Sequence, residues 1–506
     1  MKKKQVLLLM SVGILLVINA CTEPDDPLIQ DSLIITENST PNNDDTESTT
    51  NQEQEVANIS YDFMVTIENV VTPKPIFQSG IFAVPVGGSG PAPLFPGEVY
   101  EFEIDAGPHV LPGDGGPRLS FVTMFVQSND LFFAPNEEGI ALYNEDGTPI
   151  CGDGPLDVTD QVLLWDAGTE INEPTGGPNQ KPQQAPDVQD QGEDENGVVT
   201  EITNNSCSFG NVLPENNEVI KVTIEYIGPA KFKVRIKNVS DGMTIATPGK
   251  EEGSTAAVPI SPGVYAVHTM PAPFFVSGAP ASGAGLIASP EGVEDIAEDG
   301  FIDNLLMDTK AATGLTVPLS PGIWATHMEG IQPIYEIDMP DFGEGLEAIA
   351  EDGIPVMLAE ALAVKEGIYS SGAFDTPVGA DGPGAIGPGG SYQFSFTAEE
   401  GQNLSLVTMF VQSNDWFYSF ISDGLPLFIE GEPMYGDVTE YVFLYDVGTE
   451  ADEYAGAGLS QVIRQSGADS GAQDPNSNVR LIDPIELPNI PDNANVIKIS
   501  IEANSN

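Results

Sequence analysis

The sequence predicts an all-β protein of two tandem antiparallel β-sandwiches, the second with a small helical insertion. Three observations predict it. The segment Leu119–Asp130 (LSFVTMFVQSND) recurs almost letter for letter as Leu404–Asp415 (LSLVTMFVQSND), a duplication beyond chance. Residues 61–70, 219–225, 231–239 and 496–501 alternate apolar and polar positions with the period of half-buried strands. Between them, 53 glycines and 42 prolines cut the chain into short segments joined by turns.

Taken in chain order, residues 1–20 read as a signal peptide. Lys2, Lys3 and Lys4 precede an apolar run from Val6 to Ile18, and the small residue Ala20 precedes Cys21. The end of this segment, Val17 to Cys21, resembles a bacterial lipobox, whose cysteine is diacylated and becomes the new amino terminus. Ordinary secretion with cleavage nearby is the alternative. Residues 21–57 read as a lipidated cysteine and a disordered acidic tether, since residues 22–60 contain no Lys or Arg and too little apolar surface to fold. The expected localisation is export, with a lipid anchor to the bacterial outer membrane or cell surface.

The first sandwich is expected over residues 58–228, opening at 61–70 and closing at 219–225, and the second over 229–506, opening at 231–239 and closing at 496–501. Only Ile227 to Ala230 separates them. In both copies a Gly-Asp pair (Gly152-Asp153, Gly436-Asp437) leads to a shared motif, Leu164–Glu170 (LWDAGTE) or Leu444–Glu450 (LYDVGTE). The second copy holds a duplicated insertion at about 255–365, where Val258–His268 matches Val317–His327 and each is followed by Ala-Glu-Asp-Gly, at 297–300 and 350–353. Leu346, Ile349, Ala350, Met357, Leu358, Ala361 and Leu362 form an apolar stripe, which predicts helix within 345–363 packed on the sandwich edge.

Seventy-seven acidic residues against 17 basic ones leave a formal charge of -60. Such a surface repels phosphate backbones and anionic head groups, so nucleic acid is excluded as a partner and membrane contact is expected only through the lipid anchor. The carboxylates suit hard cations or simple solubility. Apart from Cys21, only Cys151 and Cys207 are present; in an exported chain they are a possible disulfide, and with three histidines they are too few for a zinc site.

The sequence Asn-Asp-Trp416-Phe417, followed by a strand and then Tyr-Asp446-Val-Gly-Thr-Glu450, resembles the signatures of the spondin amino-terminal domain, found in matrix proteins such as F-spondin and mindin. The resemblance spans nearly all of 231–503 and covers 61–226 more thinly, because that stretch lacks the histidine and helix region. It implies an eight-stranded sandwich similar to C2 domains, with one calcium ion (Ca2+) held by acidic loops at one end. Carried over by motif, the implied metal ligands are Asp415, Asp446 and Glu450 in the second copy and Asp130, Asp166 and Glu170 in the first. The last position departs from the family, with Glu where Asp is usual.

Elementary chemistry agrees, since calcium takes six to eight oxygens at about 2.3–2.6 Å and accepts sequence-distant carboxylates. Without the resemblance, the same acids read as turn caps. Leu131-Phe132-Phe133 and Trp416-Phe417-Tyr418 are expected in the core rather than as an exposed lip, and His268 and His327 as packed structural residues, because no nucleophile motif accompanies them. No catalytic residue is assigned. The expectation is a calcium-binding surface lipoprotein, not an enzyme, that mediates adhesion or captures a surface protein or glycan. The alternatives are an exported polysaccharide-acting glycoside hydrolase and a structural surface protein with stabilising calcium.

Overall fold

In this computed structural model, described residues run from 59 to 505, apart from 107–115, 203–208, 229, 284, 288, 290, 463, 466 and 483–489. The leader, Cys21, the tether and Cys207 lie outside them. Among the described residues Cys151 is buried and has no disulfide partner. The chain is mostly β, as expected.

The strands form two sandwiches. In the first, a four-stranded sheet runs in the order Val99–Asp105, Lys231–Asn238, Ile220–Gly228 and Leu156–Asp157. Its facing sheet runs Ile76–Phe82, Ile260–His268, Arg118–Phe125, Leu131–Pro135, Val162–Asp166 and Thr200–Glu201, with Ile140–Ala141 added beside Arg118–Phe125. In the second, Ser391–Ala398, Tyr61–Asn69, Ile497–Ser505 and Gly436–Asp437 face Ile368–Phe374, Leu319–Met328, Gln402–Phe410, Trp416–Ser419, Phe443–Asp446 and Arg480–Leu481, with Leu425–Pro426 added. Among the described residues, setting aside three two-residue strands in each, eight remain per sandwich.

The division expected at 228/229 does not coincide with these sheets. Tyr61–Asn69, the first of the described strands, lies in the second sandwich between Ser391–Ala398 and Ile497–Ser505, in antiparallel register Tyr61↔Ala398 and Tyr61↔Ser505. Lys231–Asn238 lies in the first sandwich, paired with Ile220–Gly228 and Val99–Asp105. The physical reason is the short connection between Gly228 and Lys231, which themselves pair. Two amphipathic strands joined by so few residues close as a hairpin before either can reach another sheet. The closing strand of the first repeat thus takes the opening strand of the second, and Ile497–Ser505 is completed by the opening strand of the first.

The duplicated insertion divides in the same way. Ile260–His268 pairs with Ile76–Phe82 and Arg118–Phe125 of the first sandwich, while Leu319–Met328 serves the second. The first sandwich therefore does have its histidine and helix region, supplied by residues 260–311 from beyond its expected boundary. Its helices, Glu294–Asp299 and Asp303–Ala311, cover the outer face of the larger sheet. In the second sandwich the predicted helix is two short ones, Leu346–Asp352 and Val356–Leu362, broken at Gly353, whose φ of 69° is left-handed. Leu346, Ile349, Leu358 and Leu362 pack on Ile323, Val407, Phe417 and Tyr445 of the sheet face rather than on its edge, because alternate residues on that face are also apolar.

Between the sheets, Phe63, Val65 and Ile67 of the first strand join Leu404, Leu406, Trp416, Ile499 and Ile501 in the second core. Tyr100, Phe121, Phe133, Ile224, Phe232 and Val234 occupy equivalent places in the first. Each fully buried side chain of this size contributes about 1.5–3 kcal/mol. The exchanged strand is thus an integral part of a core.

Candidate metal centre

Adjacent strands bring the two predicted aspartates together. Trp416 pairs with Asp446 across the ladder, which sets Asp415, one residue earlier, beside Asp446 at the same end of the sheet. Leu131 pairs with Asp166 in the same way and sets Asp130 beside it. The Asp-x-Gly-Thr turn then folds back over the first aspartate. Asp415 Oδ2 accepts the backbone N–H groups of Thr449 and Glu450, both at 3.0 Å, and Asp130 Oδ2 accepts those of Thr169 and Glu170, at 3.0 and 3.2 Å. Gly448, at φ 78°, makes the turn possible: its N–H donates to Asp446 Oδ1, and a Cβ there would meet the Asn476 carbonyl oxygen at 2.7 Å.

The third predicted ligand stands elsewhere. Carboxylate oxygens of Asp415, Asp446 and Asp452 lie within 4.8 Å of one another, whereas Glu450 turns its side chain away and accepts the N–H of Gly471 at 2.5 Å. Glu170 does likewise with Gly192, at 2.6 Å. Each glutamate contributes its N–H to the aspartate beside it while its carboxylate faces a loop. Two residues further on, Asp452 is the acid that reaches the trio in the second sandwich. Asn172 holds the corresponding place in the first, donating to Asp166 Oδ2 at 2.9 Å. Sequence reasoning missed Asp452 because its equivalent in the first repeat is not acidic.

Asp415 and Asp446 are completely buried and Asp452 is exposed, so the trio opens to solvent on one side. Asp415 Oδ1 is buried and has no hydrogen-bond partner. Burial pushes the Asp415 carboxyl up to about 7, helped by the Asp452 charge. Burial, with repulsion from Asp415 and Asp452, pushes Asp446 up to about 8. In the first sandwich burial and Asp166 raise Asp130 well above the carboxylate range. Such groups gain from nearby positive charge.

The two copies differ in what supplies it. In the second, the Arg480 guanidinium contacts Asp446, Asp452 at 3.6 Å and Asp474 at 2.6 Å. The ladder puts Arg480 opposite Asp446 and Thr200 opposite Asp166, so the first copy has no cation at that place. A buried carboxylate oxygen without a partner beside two further acids fits a hard cation with oxygen ligands, through Asp415, Asp446 and Asp452; in the first copy both Asp130 oxygens accept hydrogen bonds, and the buried oxygen left without a partner is Asn172 Oδ1.

The other readings resolve simply. Phe132, Phe133, Trp416, Phe417 and Tyr418 are fully buried. His268 and His327 are buried, each bonded through Nε2 to a serine hydroxyl, Ser120 at 2.8 Å or Ser405 at 2.9 Å, and through Nδ1 to a backbone carbonyl. Among the described residues no helix is long and apolar enough to cross a membrane. Comparison with protein-family models and with curated proteins gives no match.

Proposed function

We propose that this chain is a calcium-binding surface lipoprotein whose two sandwiches present cation-ordered loops to a surface protein or glycan. The observation that carries the reading is the buried, unpartnered Oδ1 of Asp415, whose carboxylate lies within 4.8 Å of those of Asp446 and Asp452; the Asp130–Asp166 pair repeats the strand-end placement, with both Asp130 oxygens hydrogen-bonded. A calcium ion would offset the repulsion that holds these acids high, order the Thr449–Asp452 loop, and leave coordination positions on the solvent side for a carboxylate or sugar hydroxyl of the partner. Two such loops on one anchored chain raise avidity without further contacts.

The Arg480 guanidinium favours a second reading for the second sandwich alone, in which this side chain supplies the positive charge and the loop is structural. Both readings are tested by calcium calorimetry on the secreted chain and its Asp415→Ala and Asp130→Ala variants, followed by glycan and cell-surface binding with and without calcium. Loss of one ion per variant, with loss of partner binding, supports the capture function. Binding that persists after both sites are emptied sinks it; loss in Asp130→Ala only selects the second reading.

A further inference from the structure

A second set of acids lies on the other side of the Asp-x-Gly-Thr turn. In the second sandwich, carboxylate oxygens of Glu347 and Glu351, from the helix Leu346–Asp352, and of Asp469, from the loop ahead of Gly471, lie within 4.8 Å of one another. Glu450 is a neighbour through the Gly471 N–H that it accepts. The first sandwich repeats the set with Glu298 from the helix Glu294–Asp299, Asp190 from the matching loop, and Glu170.

Acids alone are no site, but two of these are buried with oxygens left over. Glu351 is 2% exposed and Glu450 4% exposed, and Oε2 of each is buried without a hydrogen-bond partner. The other oxygen of Glu351 accepts the Thr449 hydroxyl at 2.7 Å, which orients the carboxylate. Among the described residues no Lys or Arg forms an ion pair with Glu347, Glu351, Glu450 or Asp469. Leaving buried carboxylate oxygens unpaired is costly, and acids this close repel. Burial and the Glu450 charge push Glu351 up to about 8, and burial pushes Glu298 up to about 9.

We propose that the second sandwich carries a second calcium site, formed by Glu347, Glu351 and Asp469 with Glu450 beside them. The donors are all hard oxygens within 4.8 Å of one another, the ligand type that calcium takes from carboxylates of separate elements. Asp469 is exposed, so the ion enters from solvent. Bound there, it ties the helix to the loop, and through Thr449, which bonds both Glu351 and Asp415, it couples the two sites. The site has its own donors and stands or falls apart from the Asp415 trio.

The test is equilibrium dialysis of the whole secreted chain against calcium chloride, comparing wild type, Glu351→Gln, Asp469→Asn, Asp415→Asn and the Glu351→Gln/Asp415→Asn double variant. Glu351→Gln and Asp469→Asn should each lose one ion per chain, and the double variant two. Asp469 is exposed, so its variant keeps the test valid if Glu351→Gln fails to fold. Full calcium content in both Asp469→Asn and a folded Glu351→Gln overturns the proposal. So does a double variant that loses one ion only when Asp415→Asn alone also loses one, since all the acids would then serve one site. Loss in Glu351→Gln with none in Asp415→Asn keeps this site and removes the one proposed above.

Discussion

The Asn69 side-chain amide donates to the Val317 carbonyl at 2.8 Å, across 248 positions of sequence. It also reaches Ile386 at 2.9 Å, and its Oδ1 accepts the Val71 N–H. Asn238 makes the same set in the first sandwich, to Leu94, Val258 and Ser240. Each asparagine ends its strand by tying it to the loops that lead into the facing sheet. Asn69→Ala is expected to destabilise by about 2–4 kcal/mol, since two buried carbonyls lose their donor. Asn238→Ala should do the same, and urea denaturation followed by Trp fluorescence measures both. An unchanged midpoint for Asn69→Ala would show that the exchanged strand is not pinned there.

Gly448 combines a left-handed backbone with close approach to the Asn476 and Asn478 backbones. Gly448→Ala should cost about 2–4 kcal/mol from strain and overpacking. Gly168→Ala should match it in the first copy, where Val198 is the close neighbour. Calcium affinity should fall with stability, because the turn supplies the N–H groups that orient Asp415. Thermal melts with and without calcium separate the two effects.

Arg480→Thr gives the second trio the residue found at the matching position of the first. Three acids lose their guanidinium, so the calcium-free protein should melt lower. Calcium affinity of that site should rise about tenfold or more, or about 1.4 kcal/mol. Calorimetry on the variant decides this. Unchanged affinity would mean that the arginine and the ion do not compete.

The buried glutamates make stability depend on pH in a definite direction. Glu298, at about 9, and Glu351, at about 8, stand above their ordinary value of 4.5. Between those values the folded chain holds more protons than the unfolded one, so stability falls as pH rises. The calcium-free melting temperature should therefore decline from about pH 5 to about pH 9. Saturating calcium should flatten the Glu351 share of the profile by replacing its proton. A calcium-free profile that rises over this interval would contradict the burial of these acids.

The fold class was legible because alternation at 61–70, 219–225, 231–239 and 496–501 is local information. Asp415 and Asp446 were brought together only by the resemblance, since by themselves the same acids read as turn caps. Asp452 was not legible: the first repeat has Asn172 there, and only the path of the turn brings it to the trio. The helix glutamates were hidden for a related reason. Nothing in their spacing says that a helix on the outer sheet face meets the loops at the end of the sheet.

By itself the sequence determined which segments are strands, which faces they bury and which turns carry acids, because period-two patterning and turn chemistry act within a few residues. Tertiary structure alone decided which strands share a sheet. Tyr61–Asn69 and Lys231–Asn238 present nearly the same apolar face to either core, so side-chain pattern does not choose between them. The tight link between Gly228 and Lys231 does. It makes the hairpin the nearest pairing for Lys231–Asn238, and the first described strand is left to complete the sheet of the last.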